Sequence, residues 1–215
     1  MKRTIPIKGD KLISPQEIGS QLDVIEEVSL KDERTAKKFF PMIKERLLSI
    51  NKWGDISKMK LSTFKLMDEN GNPVSRKARV GDYIRIDIPG PGPKSGNGFD
   101  WVRIEDIITE EGDRKQAVTM RVRPAQNPQQ SNAENADTAH FFSELATSTF
   151  SVIRFGRHIY AEEHGRNEVV NSLTSNKLDK IRNKLVGLAA TLGFSYPQWK
   201  SLVKGLIQIP QHGTE

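Results

Sequence analysis

The stretch DYIRIDI (82–88) alternates apolar and polar residues, which is the pattern of a β-strand with one buried face. On such a strand Ile84 and Ile86 point to one side, and Tyr83 and Arg85 point to the other. This alternation is typical of an antiparallel sheet that packs on helices with one face and meets water with the other. The stretch therefore predicts a half-buried antiparallel strand.

Six further segments carry the same kind of strand pattern on either side of this one. Turn residues separate several of them, for example ENGN (69–72) and FGR (155–157). The predicted strands are 23–30, 61–68, 101–108, 116–123, 149–154 and 158–164. The sequence therefore predicts an α+β protein with a curved antiparallel sheet of about seven strands.

Helical patterns lie between the first two strands and after the last one. Residues 31–50 have helical spacing, and Pro41 in their middle predicts a kink or two short helices that meet near Phe40. A second helix is predicted over 176–192 and a third over 195–207. The second carries an apolar stripe, which we expect to pack on the sheet. The stripe consists of Leu178, Ile181, Leu185, Leu188 and Leu192.

Composition, net charge and the lengths of the apolar runs limit the classes of protein to which the chain can belong. The chain has 215 residues, no cysteine and a formal net charge of +6, and its basic residues are interleaved with acidic ones. No apolar run is long enough for a secretory signal or a membrane span, so we expect a cytoplasmic protein without membrane insertion. We expect one domain over 23–208 with a flexible polar insertion at 124–137. Residues 1–22 are predicted to be an N-terminal extension and 209–215 a tail.

The order of elements resembles the START-like, or helix-grip, superfamily: a strand, a bent helix pair, six antiparallel strands and a C-terminal helix. The break expected at Pro41 and the position of Trp53 before the second strand fit this order. The resemblance implies a sheet wrapped around the last helix, with an apolar cavity between them. In that superfamily the cavity usually holds a lipid-like or polycyclic ligand.

From this arrangement we expect a hydrophobic small molecule to bind between the sheet and the C-terminal helix. The sequence contains no cofactor motif, so no cofactor is expected, and it leaves the oligomeric state open. Binding is expected rather than catalysis. The predicted lining residues are Phe64, Ile84, Ile86, Ile104, Met120, Val122, Leu185, Leu188 and Leu192.

A nucleic-acid-binding sheet is the alternative, because the chain is basic and aromatic residues alternate with arginines on two strands. Tyr83 and Trp101 are the candidates for base stacking, beside Arg85 and Arg103. The loop at 88–100 lacks the glycine before Lys94 that a phosphate-binding loop requires. We expect it to lie at the rim of the sheet.

The cluster HIYAEEHGRNE (158–168) supports a third hypothesis, a hydrolase-like or cyclase-like enzyme. Its histidines are six positions apart, which matches neither the His-Glu-x-x-His motif nor its inverted form. No metal site is therefore expected. On a strand, His158, Tyr160, Glu162 and His164 share one face, and a polar outer face of the sheet explains them equally well.

Overall fold

A computed structural model of the protein describes residues 3–58, 62–90, 92–130, 137–172, 174, 176–189 and 196–210, without the side chains of 187–189. The strands are β1 (Ser20–Ser29), β2 (Thr63–Met67), β3 (Tyr83–Asp87), β4 (Asp100–Glu110), β5 (Lys115–Pro124), β6 (Thr147–Phe155) and β7 (His158–Glu168). The helices are α1 (Glu33–Leu48), α2 (Trp53–Ser57), α3 (Lys177–Ala189) and α4 (Tyr196–Leu206). No described helix is both long and apolar enough to cross a membrane.

All seven strands form one antiparallel sheet in the order β1-β7-β6-β5-β4-β3-β2. Strands β2 to β7 form a continuous meander, and β1 pairs with β7 at its far edge. The register shifts at a bulge between β1 and β7 and at another between β4 and β5, and bulges of this kind increase local bending and twist. The predicted fold class, a curved seven-stranded antiparallel sheet packed on C-terminal helices, is confirmed.

Three of the helices cover one face of the sheet, which we call the inner face. From α1, Phe40, Ile43 and Leu47 are fully buried in the main core. From α4, Leu202 and Val203 are buried in the same core, and α4 contacts β1, β7 and α2. The helix that packs its apolar stripe on the sheet is therefore α4.

The sequence analysis expected Pro41 to kink the helix or to divide it into two. The proline does not divide it, because Glu33–Leu48 is one continuous helix, and the kink remains a prediction. The proline is exposed on the outer side of α1, away from the buried Phe40 and Ile43. Its missing N–H removes one hydrogen bond from the helix. The buried apolar stripe on the other side supports the helix across this gap.

Helix α3 is oriented opposite to the prediction. Leu178, Ile181 and Leu185, the described part of its apolar stripe, are 58%, 59% and 66% exposed. The prediction that this stripe packs on the sheet is therefore wrong for these three residues. Residues 190–192 of the predicted helix lie outside the described part of the chain.

Polar contacts explain the orientation of α3. The Asp179 carboxylate accepts the backbone N–H groups of Lys94 and Ser95 at 2.9 and 3.1 Å. One turn along, Arg182 forms an ion pair with Asp100 in which both side chains are buried. Buried charges require partners of this kind, so the polar side of α3 is held against the β3–β4 connection and its leucines face outward.

The N-terminal segment packs on the other, outer face of the sheet. Ile7 is buried in a small cluster with Ala117 and Ile153 of β5 and β6. Arg3 donates to Glu162 at 2.7 Å, which attaches the start of the segment to the neighbouring strand β7 on the same face. Part of the predicted N-terminal extension therefore covers the sheet.

Only part of the predicted insertion at 124–137 can be compared with the structure, since residues 131–136 lie outside the described residues. Within the described part, Asn127 is buried, and the Gln129 side chain donates to the Gly71 carbonyl at 2.9 Å. This end of the insertion is therefore attached to the turn after β2.

The close contact between α2 and α4 predicts a destabilising substitution at Gly205. A Cβ atom added there would lie 2.1 Å from the carbonyl oxygen of Ile56. We expect Gly205→Ala to lower the free energy of unfolding by about 1–3 kcal/mol, although alanine is the better helix former. Urea unfolding followed by tryptophan fluorescence measures the change.

Gly54 in α2 provides the control, because a Cβ added there meets no heavy atom within 4 Å. Gly54→Ala is expected to leave stability unchanged or to raise it by up to about 1 kcal/mol. Equal effects of the two substitutions would contradict the close packing of α2 on α4.

Candidate functional site

A cavity of about 250 Å³ lies between the inner face of the sheet and the elements that cover it. Aliphatic side chains of β3, β4 and β5 form one side. The aromatic lining is Trp53, Phe64, Phe141, Phe142, Phe150 and Trp199. The polar lining is Ser62, His140, Ser148, Glu168 and Gln198. The described wall is therefore mostly apolar, with a small number of polar groups.

Four of the predicted residues line this cavity: Phe64, Ile84, Ile86 and Val122. Ile104 and Met120 are fully buried in the main core but are not among the described lining residues. The alternation of the strands was enough to place all six on the inner face. Whether the four lining residues contact a ligand remains a prediction.

The lining residues that were predicted on the C-terminal helix are not found in the described cavity wall. Leu185 faces away from the cavity, and the prediction that it lines the cavity is wrong, because the polar side of α3 is turned inward. Val186 lines the cavity instead. The side chain of Leu188 and all of Leu192 lie outside the described residues.

Four aromatic rings from separate parts of the chain form one connected wall. Trp53 contacts Phe150 with ring centroids 5.0 Å apart and Phe64 with centroids 5.5 Å apart. Trp199 of α4 contacts the same two phenylalanines at 5.3 and 6.1 Å. Tilted and edge-to-face pairs at these distances are favourable, so the rings support one another around the cavity.

His140 is the polar group whose protonation the structure determines most clearly. Its Nδ1 accepts the backbone N–H of Phe142 at 2.9 Å, so the proton of the neutral ring is on Nε2. Burial lowers the pKa of His140 to about 4, even though the nearby Asp100 carboxylate acts in the opposite direction. At neutral pH the histidine is therefore an uncharged hydrogen-bond donor in the cavity wall.

Two carboxyl groups lie close together at the Ser148 end of the site. Glu168 lines the cavity, and one of its oxygens accepts the Ser20 hydroxyl at 3.1 Å, while burial raises its pKa. Glu163 is completely buried, and neither of its oxygens has a well-formed hydrogen bond among the described residues. Burial and the charge of Glu168 raise the pKa of Glu163 far above its usual range, although Ser148 opposes the shift.

Sequence analysis missed most of the polar and aromatic lining. His140, Phe141 and Phe142 are consecutive and follow the polar insertion, which is a visible signal that the sequence analysis did not use. Glu163 also carried a signal, because it shares its side of β7 with the buried Ile159 and Ala161. A carboxyl group in the apolar register of a strand indicates a special environment.

The cluster at 158–168 lies mainly on the outer face, and its outer side chains are paired mostly with residues of β1 and of the N-terminal segment. His158 Nδ1 contacts Glu27 at 2.8 Å. His164 lies between Asp23 and Glu162, and the pKa of His164 is raised because hydrogen bonds to these two carboxylates outweigh its burial. These contacts match the polar-face interpretation and provide no free nucleophile for the enzyme hypothesis.

The alternative of a nucleic-acid-binding sheet face loses one of its two aromatic candidates. Trp101 is only 1% exposed, and its indole N–H donates to the Gly96 carbonyl at 3.0 Å. Tyr83 packs edge-on against Trp101 with centroids 6.4 Å apart. Arg85 covers the ring of Phe99. Trp101 is therefore unavailable for base stacking, and that part of the prediction is wrong.

Comparisons with known proteins give a distant structural likeness and no family. No protein-family model matches the chain, and no curated protein is significantly similar to it. A solved hypothetical protein of Helicobacter pylori is 13% identical with a TM-score of 0.44, over 94% of this chain and 97% of the other.

Two further solved structures have stated activities. Truncated norcoclaurine synthase of Thalictrum flavum is 12% identical with a TM-score of 0.38, over 92% of this chain and 100% of the other. An aromatase/cyclase of Streptomyces sp. R1128 is 9% identical with a TM-score of 0.39, over 86% of this chain and 93% of the other. These scores are low, and the fold assignment rests on the sheet order and helix packing described above.

Proposed function

We propose that the protein binds an apolar or amphipathic small molecule in the cavity between its sheet and its helices. The observation that carries this proposal is a space of about 250 Å³ lined by aromatic and aliphatic side chains. Protein interiors are packed as densely as organic crystals, so a core with this much space is unusual. A ligand that fills it restores the contacts that the surrounding side chains lack.

The volume of the cavity indicates how large a ligand it can hold. An engineered apolar cavity of about 150 Å³ is large enough to bind benzene. The cavity of this protein is larger, so it has room for an aromatic ring with a short chain. Removing such a ligand from water contributes about 25 cal/mol for each Å² of apolar surface buried.

The polar groups in the wall favour an amphipathic ligand over a pure hydrocarbon. The Nε2–H group of His140 has no hydrogen-bond partner among the described residues, and Gln198 and Ser62 also line the wall. A small number of convergent polar groups in an apolar pocket is the usual means of orienting a ligand. The cytoplasmic location expected from the sequence remains a prediction.

Filling the cavity is expected to reduce ligand binding. Ile86 lines the cavity and is only half buried, so a larger side chain at this position has space to enter it. We expect Ile86→Trp to weaken binding of the neutral probe 4-phenyl-1-butanol by about tenfold or more, equivalent to ~1.4 kcal/mol. Isothermal titration calorimetry measures the affinity, and thermal unfolding measures the stability of each variant.

Ile108→Trp is the matched control, because Ile108 points away from the core that the neighbouring Ile107 joins. This variant adds the same bulk on the outer face and is expected to bind the probe like the wild type. Absence of probe binding by the wild type would refute the proposed function. A large loss of stability in Ile86→Trp would then mean that the region is a tightly packed core with no room for a ligand.

A further inference from the structure

We propose that the ligand of this cavity is a hydrophobic amine, bound with its ammonium group at Glu168 and its hydrocarbon part among the aromatic rings. The inference rests on the proposed function and adds the charge of the ligand to it. Its basis is the unbalanced set of ionisable groups around the cavity.

The described cavity wall contains an acid but no lysine or arginine. Glu168 is its only acidic side chain, and His140 stays uncharged because its Nδ1 is used by the backbone and its ring is buried. A ligand carboxylate would therefore enter an apolar space, meet another carboxyl group and find no charged partner. Such a transfer is costly, since a buried charge requires a counter-charge.

Glu163 adds a second carboxyl group behind the wall. It shares the inner side of β7 with Ile159 and Ala161, and its cross-strand neighbour is Phe150, which lines the cavity. The side chain is fully buried, and among the described residues neither oxygen has a well-formed hydrogen bond. The protein thus keeps a pair of nearby carboxyl groups without a full set of partners, which is costly unless a further group satisfies them.

Arg166 is the nearby cation that needs to be considered, because it influences both carboxyl groups. Its guanidinium is already occupied: Nη2 donates to the Asp23 carboxylate at 2.7 Å, and Nη1 donates to the carbonyl oxygens of Gly165 and Leu22 at 2.7 and 3.1 Å. The charge of Arg166 is therefore largely balanced by Asp23. It does not replace a cation inside the cavity.

An ammonium group has two properties that favour its binding in this cavity. It supplies the missing positive charge and N–H donors for Glu168, and charge-assisted hydrogen bonds are stronger than neutral ones. A neutral alcohol gains only an ordinary hydrogen bond, and a carboxylate gains neither interaction.

Three probes with the same phenylbutyl body separate these possibilities: 4-phenylbutylamine, 4-phenyl-1-butanol and 4-phenylbutyrate. We expect calorimetric titration of the wild type at pH 7 to show the amine binding at least about tenfold tighter than the alcohol, and the carboxylate binding most weakly. Glu168→Gln is expected to remove most of the advantage of the amine, so that the amine and the alcohol then bind with similar affinities. Glu69→Gln, an exposed site in the turn after β2, is the control and should keep the wild-type order.

Each outcome bears on one of the two proposals. Equal affinity for amine and alcohol, or tighter binding of the carboxylate, overturns the amine inference and leaves the proposed function in place. Failure of all three probes to bind refutes the proposed function and the inference with it. If Glu168→Gln does not fold, the order of the three probes with the wild type still decides.

Discussion

Asp100→Asn is expected to lower the free energy of unfolding by about 3–5 kcal/mol, because it removes the negative charge from the buried ion pair of Asp100 with Arg182. Arg182 Nη1 donates to one oxygen of Asp100 at 2.9 Å, Nη2 donates to the other oxygen, and both side chains are buried. Asparagine keeps an acceptor for the backbone N–H of Phe141, which lies 3.0 Å from Asp100 Oδ1. The substitution therefore removes mainly the charge, and urea unfolding measures its effect.

Two further variants show whether the buried charge is the cause. Adding Arg182→Met to Asp100→Asn is expected to recover most of the lost stability, because no buried charge then remains. Glu45→Gln disrupts an exposed pair, in which Lys77 Nζ lies 3.7 Å from Glu45, and is expected to cost about 0–1 kcal/mol. If Asp100→Asn costs no more than Glu45→Gln, the ion pair is not what holds α3 to the sheet.

This ion pair also explains why the sequence predicted the sheet correctly and α3 incorrectly. Strand prediction uses neighbours along the chain, and alternation of the kind seen at 82–88 is enough to identify each strand. The orientation of α3 depends on Asp100, which is 82 positions away from Arg182. An apolar stripe normally marks the buried side of a helix, but here buried ionic contacts decide the orientation.

The candidate site was predictable to the same limited extent. Phe64, Ile84, Ile86 and Val122 lie on regular strands, and their alternation placed them on the inner face. The other side of the cavity comes from connections and helices whose positions depend on tertiary contacts, including the segment at 140–142. The periodicity of the sequence within one element does not reveal such contacts, so the polar part of the wall could be identified only from the structure.

Glu163 leads to the second prediction, that the wild type loses stability relative to Glu163→Gln as pH rises. Burial and the neighbouring Glu168 raise the pKa of Glu163 in the folded protein far above its ordinary value of 4.5, with Asp23 acting in the same direction and Arg166 and Ser148 opposing it. Above pH 4.5 the unfolded chain releases this proton and the folded protein retains it. Stability is therefore fully present below the unfolded pKa and decreases as pH rises towards the folded pKa.

Glutamine has nearly the same shape as a protonated glutamate and cannot ionise, so the Glu163→Gln variant does not lose stability in this way as pH rises. The stability difference in its favour is expected to grow as pH rises above 4.5, with a slope of at most about 1.4 kcal/mol per pH unit. Urea unfolding of both proteins between pH 5 and 8 measures it, with the exposed Glu69→Gln as control. Parallel pH profiles for wild type and Glu163→Gln would mean that Glu163 is ionised in the folded protein, in which case a cation beside it is already present without a ligand.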